Sequence, residues 1–165
     1  MRLFRNHYLK KYNKVALGGT FDILHRGHLE LFKKSFDIGY FVVIGITSDE
    51  FVNSKLNKQI RNPYRVRVQN LKKFIEKEMM FDNYQITKLE DNFGPLMISN
   101  QIDCLVVSSE TEERGNTINQ NRLKLGLPAV DVISVKMVLA EDGLPISSSR
   151  IRSNYIDENG LKIKK

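Results

Sequence analysis

The run Phe41-Val42-Val43-Ile44-Gly45-Ile46 is apolar at every position except its glycine. A strand with one wet face alternates polar and apolar residues, so a run like this must be covered on both faces. That demand points to a parallel sheet sandwiched between helices. The rest of the chain agrees. Lys14-Val15-Ala16-Leu17 reads as a strand that ends in a tight turn at Gly18 and Gly19. Leu29, Leu31, Phe32, Phe36 and Ile38 recur at roughly helical spacing, with Gly39 as a C-terminal stop. Asn62-Pro63 supplies a cap and a first-turn proline for another helix, with Val68, Leu71 and Ile75 on one face and Phe74 beside them. Residues 84–87, 105–107 and 130–135 read as three more strands, 111–126 as a polar helix, and the last helix starts around Ser147-Ser148-Ser149. Strands alternating with helices imply right-handed crossovers. The expectation is α/β: a Rossmann-like five-stranded parallel sheet with helices on both faces. Ligands of such sheets sit beyond the carboxyl ends of the strands, near the topological switch point.

With 165 residues, 41% of them hydrophobic and 27% charged, the chain fits one folded domain. The core is expected over about 14–153. The basic N-terminal segment, with Arg2, Arg5, Lys10, Lys11 and Lys14 and no acid, is expected outside it. So is the C-terminal tail with Lys162, Lys164 and Lys165. No run approaches the roughly 18–20 apolar residues of a membrane span, and the N-terminus has no signal-peptide h-region. The single cysteine, Cys104, lies in an apolar run and reads as a small core hydrophobe. A cytoplasmic location follows as the expectation. The net charge of +7 is compatible with nucleic acid or with small polyanions. The basic residues form no aromatic-interleaved stripe, which disfavours nucleic acid.

The chemistry concentrates in Gly18-Gly19-Thr20-Phe21-Asp22-Ile23-Leu24-His25-Arg26-Gly27-His28. The glycines let the backbone turn and a ligand approach. Thr20 offers a hydroxyl, and Asp22 a carboxylate for orienting neighbours. His25 and His28, three apart, project to one side of a helical turn, with Gly27 keeping the space between them open. Free amides at a helix start complete a cradle for phosphate. A zinc pair would want i, i+4 spacing and a third ligand. Neither the P-loop nor the dinucleotide-binding glycine pattern is present. Two satisfied core histidines are the plain alternative, which a lone histidine would favour but two of the chain's three, flanking a glycine after Gly-Gly-Thr, do not. A second helix start, Ile146-Ser147-Ser148-Ser149-Arg150-Ile151-Arg152, gathers hydroxyls, amides and guanidiniums.

On these two segments the chain resembles the HxGH nucleotidylyltransferases. It is most similar to the archaeal/eukaryotic-type phosphopantetheine adenylyltransferases, through Thr47-Ser48-Asp49-Glu50, Val106-Val107-Ser108-Ser109-Glu110-Thr111 and Ala140-Glu141-Asp142-Gly143 as well. The resemblance covers about residues 14–153. It implies the HxGH nucleotidylyltransferase fold and transfer of AMP from ATP to 4′-phosphopantetheine, giving dephospho-coenzyme A and pyrophosphate in coenzyme A biosynthesis. Mg²⁺ would arrive with ATP, and no residue is assigned to a metal. The catalytic residues implied are His28, His25 and Thr20. ATP would be held by Gly18, Gly19, Thr20, Phe21, His25, His28, Ser108, Glu110, Ser147, Ser148, Ser149 and Arg150. Thr20 and Lys55 would meet the acceptor, with Arg61, Arg65 and Arg67 competing with Lys55. The rival readings keep the chemistry and change the acceptor, as in glycerol-3-phosphate cytidylyltransferase, nicotinamide-nucleotide adenylyltransferase or FAD synthetase. A non-catalytic nucleotide- or RNA-binding module ranks below them. The state of assembly is left open.

Overall fold

The structure is a computed structural model and describes residues 10–56, 59–97 and 99–163. Arg2, Arg5, Lys164 and Lys165 lie outside the described residues. Strands β1 (Tyr12–Gly19), β2 (Gly39–Thr47), β3 (Tyr84–Leu89), β4 (Cys104–Ser108) and β5 (Asp131–Val135) form one sheet in the order β3-β2-β1-β4-β5. Every pairing is parallel. The helices are α1 (Arg26–Ile38), α2 (Asp49–Phe51), α3 (Tyr64–Met79), α4 (Glu112–Lys124) and α5 (Ser148–Arg152). A π turn (Val52–Leu56) follows α2, and a 3₁₀ turn (Gly94–Met97) lies between β3 and β4.

The pleat sorts each strand by parity. Val15, Leu17, Val42, Ile44, Ile46, Cys104 and Val106 point to one face, under Phe32 and Phe36 of α1 and Leu71, Ile75 and Met79 of α3. Ala16, Val43, Leu105 and Val107 point to the other, against Ile118 of α4 and Leu96 of the 3₁₀ turn. Burying each large aliphatic side chain contributes about 1.5–3 kcal/mol, which is why a continuous apolar run tolerates no wet face. β1 is flanked by β2 and β4, so the chain leaves it in both directions. The switch point therefore lies between the ends of β1 and β4, where Gly19 and Ser108 sit.

Gly39 stops α1, as the end of the helical spacing predicts, in extended geometry (φ −108°), and is already the first residue of β2. Its missing side chain serves close packing, since a Cβ there would lie 2.6 Å from Val15 Cγ2. Asn62 does not cap α3; Pro63 is the cap residue and offers no side-chain bond. The Tyr64 amide instead donates to both oxygens of Asp49, at 2.9 and 3.0 Å, so α3 is capped by α2. The tail is also part of the fold. Ile156 is fully buried in a third cluster with Ala140, Ile146 and Ile151, and the Arg26 amide donates to the Glu158 carbonyl at 3.1 Å.

Candidate functional site

The turn of the first motif falls just beyond its two glycines. Gly18 and Gly19 lie in β1, and the left-handed residue of the turn is Phe21 (φ +49°). A Cβ on Gly19 would meet the Phe21 ring at 3.0–3.3 Å, so the absent side chain makes a seat for that ring. Strain at a non-glycine residue of this kind costs about 1–3 kcal/mol and persists only when packing holds it. Here Phe21 is buried against Phe32 and meets the edge of His28, ring centroids 5.1 Å apart.

His25 is the N-cap of α1, and its Nδ1 accepts from the Gly27 amide at 3.1 Å. That bond leaves its proton on Nε2. A Cβ on Gly27 would come within 3.0 Å of the imidazole, so the gap left by this glycine is filled by His25 itself. The two histidine rings stack at 3.8 Å, 27° apart. Burial lowers the His25 pKa to about 4. Burial, and then the neighbouring His25, lowers that of His28 well below its ordinary value. Both are therefore neutral donors near pH 7. His28 Nδ1 is buried with no hydrogen-bond partner among the described residues.

Both motifs face one cavity of about 860 Å³. Thr20, Phe21, His25 and His28 line it on one side, Ser147, Ser148 and Ser149 on another, and Ser108 and Glu110 on a third. A narrower pocket of about 230 Å³ adjoins it, lined by Gly18 and Gly19 and by apolar side chains including Leu89, Phe93, Leu96 and Ile118. Thr20, Phe21, Leu31, His28 and Ser108 line both. Lys55 is exposed on the π turn and lines neither; Arg61 lines the large cavity.

The second motif also shifts one assignment. Ser147 caps α5, accepting from the Arg150 amide, and Ser148 Oγ donates to the Ile23 carbonyl at 3.1 Å. The Arg150 guanidinium is turned away from the cavity, donating to the Leu144 and Pro145 carbonyls and pairing with Asp142. Its expected place is taken by Arg152, which lines the cavity and donates to Asp22 Oδ2 at 2.8 Å and Ser149 Oγ at 3.1 Å.

Asp22 is the hub joining these parts. Its buried carboxylate also accepts from the Arg61 amide, at 3.0 and 2.9 Å, and from the Asn62 amide at 2.8 Å. One level below, the fully buried Arg67 donates to the Thr20 carbonyl at 2.7 Å, the Asn62 carbonyl at 3.0 Å and Asp49 at 2.7 Å. Burial alone would raise the Asp49 carboxyl, but the Tyr64 amide and the Arg67 guanidinium outweigh it and hold the pKa down.

This geometry has known counterparts. The cytidylyltransferase-like family model matches residues 16–154. The chain is 40% identical to the phosphopantetheine adenylyltransferase of Methanothermobacter thermautotrophicus, over 94% of this chain and 93% of that one. With the Pyrococcus furiosus enzyme of the same name it is 38% identical, over 94% and 97%. The chain belongs to the cytidylyltransferase-like family, in its phosphopantetheine adenylyltransferase branch. A solved structure of a protein with unknown function from Archaeoglobus fulgidus superposes with a TM-score of 0.67 at 33% identity, covering 74% of this chain and 88% of that one. Pantothenate synthetase from Thermus thermophilus shares the fold at 19% identity, with a TM-score of 0.57 over 91% and 64%.

Among the described residues of this adenylyltransferase-branch chain, no group of three or more His, Cys, Asp or Glu could hold a metal ion, and no helix is long and apolar enough to cross a membrane. Arg67, a candidate for the acceptor phosphate by sequence, is instead fully buried beneath Thr20, while Arg152 and Thr47, whose hydroxyl lies 3.4 Å from that of Thr20, stood within the motifs without a role of their own. A signal for the buried place of Arg67 was available. It shares the stripe Arg67-Leu71-Ile75-Met79, where a cation on an otherwise buried face demands internal partners.

Proposed function

We infer that the protein is a phosphopantetheine adenylyltransferase. The observation that carries this reading is the pair of connected pockets that share Thr20 and His28: a large polar one faced by both helix starts, and a narrow apolar one beside it. A nucleoside triphosphate suits the first and the uncharged pantetheine arm the second. The reacting phosphates would then meet at the shared residues.

An oxygen of the acceptor phosphate attacks the α-phosphorus of ATP in line. The new P–O bond forms as the bond to the β-phosphate bridging oxygen breaks, and pyrophosphate leaves. Such transfer needs positioning and charge stabilisation rather than a protein nucleophile. His28 donates to the α-phosphate oxygens as charge builds, and His25, its Nε2–H free, donates to the adjacent phosphates. The amides of α5 with Ser147, Ser149 and Arg152 hold the β- and γ-phosphates, while Ser108 and Glu110 meet the nucleoside. Arg61 suits the acceptor phosphate better than Lys55, since it lines the large cavity. A helix end contributes only about 0.3–2 kcal/mol to anion binding, against the roughly 8 kcal/mol or more that catalysis needs. Two converging helix starts with two neutral histidines answer that shortfall. ATP enters as its Mg²⁺ complex, the ion held by phosphates and water. The enzyme works in the cytoplasm.

The test is an acceptor panel read by pyrophosphate release. 4′-Phosphopantetheine with ATP is expected to turn over, and glycerol-3-phosphate, nicotinamide mononucleotide, FMN and all CTP pairings are expected to lag far behind. Turnover of another acceptor with phosphopantetheine inert would overturn the reading.

A further inference from the structure

Arg122 of α4 is as fully buried as Arg67, but on the opposite face of the sheet and with no carboxylate partner among the described residues. Its Nε donates to the Pro128 carbonyl at 2.8 Å, and its Nη1 to the Ser99 carbonyl at 3.0 Å and to the Leu96 carbonyl. Its Nη2 is buried with no partner among the described residues. Neutral carbonyls compensate a buried cation poorly, and leucine or methionine would fill the same space without desolvating a charge. What an apolar side chain could not do is tie two chain segments together through a fork of donors.

One of those segments is a wall of the narrow pocket. Phe93 and Leu96 line the pocket from the 91–97 stretch; Arg114 and Ile118, eight and four residues before Arg122 on α4, line it from across. The stretch is pinned at its start as well, where Asp91 Oδ1 accepts from the Phe93 and Gly94 amides at 2.7 and 2.6 Å. It therefore has an anchor at each end, and the far one is Arg122.

We propose that Arg122 is a positioning residue of the acceptor pocket, fixing Leu96 and Phe93 at the separation from α4 that grips the pantetheine arm. The inference rests on the phosphopantetheine reading. It implies that Arg122 governs acceptor affinity and leaves the nucleotide side, built from β1, α1, α5 and the end of β4, unaffected.

The experiment compares wild type with Arg122→Lys, Arg122→Met and Leu96→Ala. It measures KM for 4′-phosphopantetheine, KM for ATP, calorimetric Kd for ATP, and amide hydrogen exchange over residues 92–97. Lysine keeps the charge but cannot span the Pro128, Leu96 and Ser99 carbonyls. The expected result is a rise of about tenfold or more in acceptor KM, with both ATP constants within about twofold, for Arg122→Met and, more weakly, Arg122→Lys. Exchange over 92–97 should quicken in the free variants and slow again with acceptor. Leu96→Ala should give the same selective loss, and it carries the test with Arg122→Lys if Arg122→Met does not fold. Parallel rises in both KM values, or an unchanged acceptor KM in folded Arg122→Lys and Leu96→Ala, would overturn the proposal. Should another acceptor prove to be the substrate, the phosphopantetheine reading fails, and the same selective pattern with that acceptor would still support the role of Arg122.

Discussion

The two helix starts that face the large cavity are built in opposite ways. α1 runs for 13 residues from an N-cap histidine whose ring is buried, stacked on His28 and backed by Phe21 and Phe32. α5 has five residues, of which only Ile151 is buried, and it is held to the first motif by polar ties: Ser148 to the Ile23 carbonyl and Arg152 to Asp22. The first motif is set by the core. The second is docked onto the first, and Asp22 carries the ionic part of that docking. Damage to the first motif should therefore reach the chemical step, and damage to the second should act mainly through nucleotide binding.

The largest effect is expected from His28→Ala. Losing one preorganised donor costs about 10²–10³ in rate, so kcat should fall by at least that much in a pyrophosphate-release assay. A rate within about tenfold of wild type would remove His28 from the chemistry.

Asp22→Asn keeps the shape of the hub and removes its charge. Leaving Arg152 without its buried counter-charge should raise KM for ATP by about tenfold or more, with a smaller change in kcat. An unchanged ATP KM would mean that α5 is positioned without the ion pair.

Two arginines on α5 sharpen the contrast further. Arg152→Ala should raise KM for ATP by about tenfold. Arg150→Ala, losing only an outward pair with Asp142, should stay within about twofold. A reversed order would return the phosphate role to Arg150.

The smallest effect concerns stability. The folded protein holds His25 and His28 neutral, whereas the unfolded chain protonates them near the ordinary histidine pKa of 6.5. Below that value the unfolded state binds more protons, so this contribution is complete above pH 6.5 and is lost as pH falls toward 4. Thermal unfolding at about pH 7.5 and about pH 5 should show a lower Tm at the acid value, and His25→Asn should reduce the difference. An identical pH dependence in the variant would contradict the buried neutral pair.

Much of this architecture was legible in the sequence because the strongest signals are local. The apolar run at 41–46 required two covered faces, the other strands showed as short apolar runs, α1 and α3 followed from helical periodicity, and α4 and α5 from a polar stretch ending in glycine and a serine start. Both motifs were visible because each packs its phosphate-binding residue types into one short stretch of chain. What escaped depended on long-range partners. Nothing near Arg150 or Arg152 says which one turns inward; Asp142 and Asp22, 8 and 130 residues away, decide it. The cap of α3 comes from Asp49, 15 residues away, where the sequence offered Asn62 next door. Gly19 looked like a turn residue because its true purpose, a seat for Phe21, exists only in three dimensions.

The central claim is that both helix starts grip one triphosphate. A crystal structure with a non-hydrolysable ATP analogue tests it directly. The expected density has the α-phosphate beside His28, the β- and γ-phosphates at the amide end of α5, and Arg152 turned toward them. A triphosphate touching only one of the two motifs, or bound outside the cavity between them, would contradict the account.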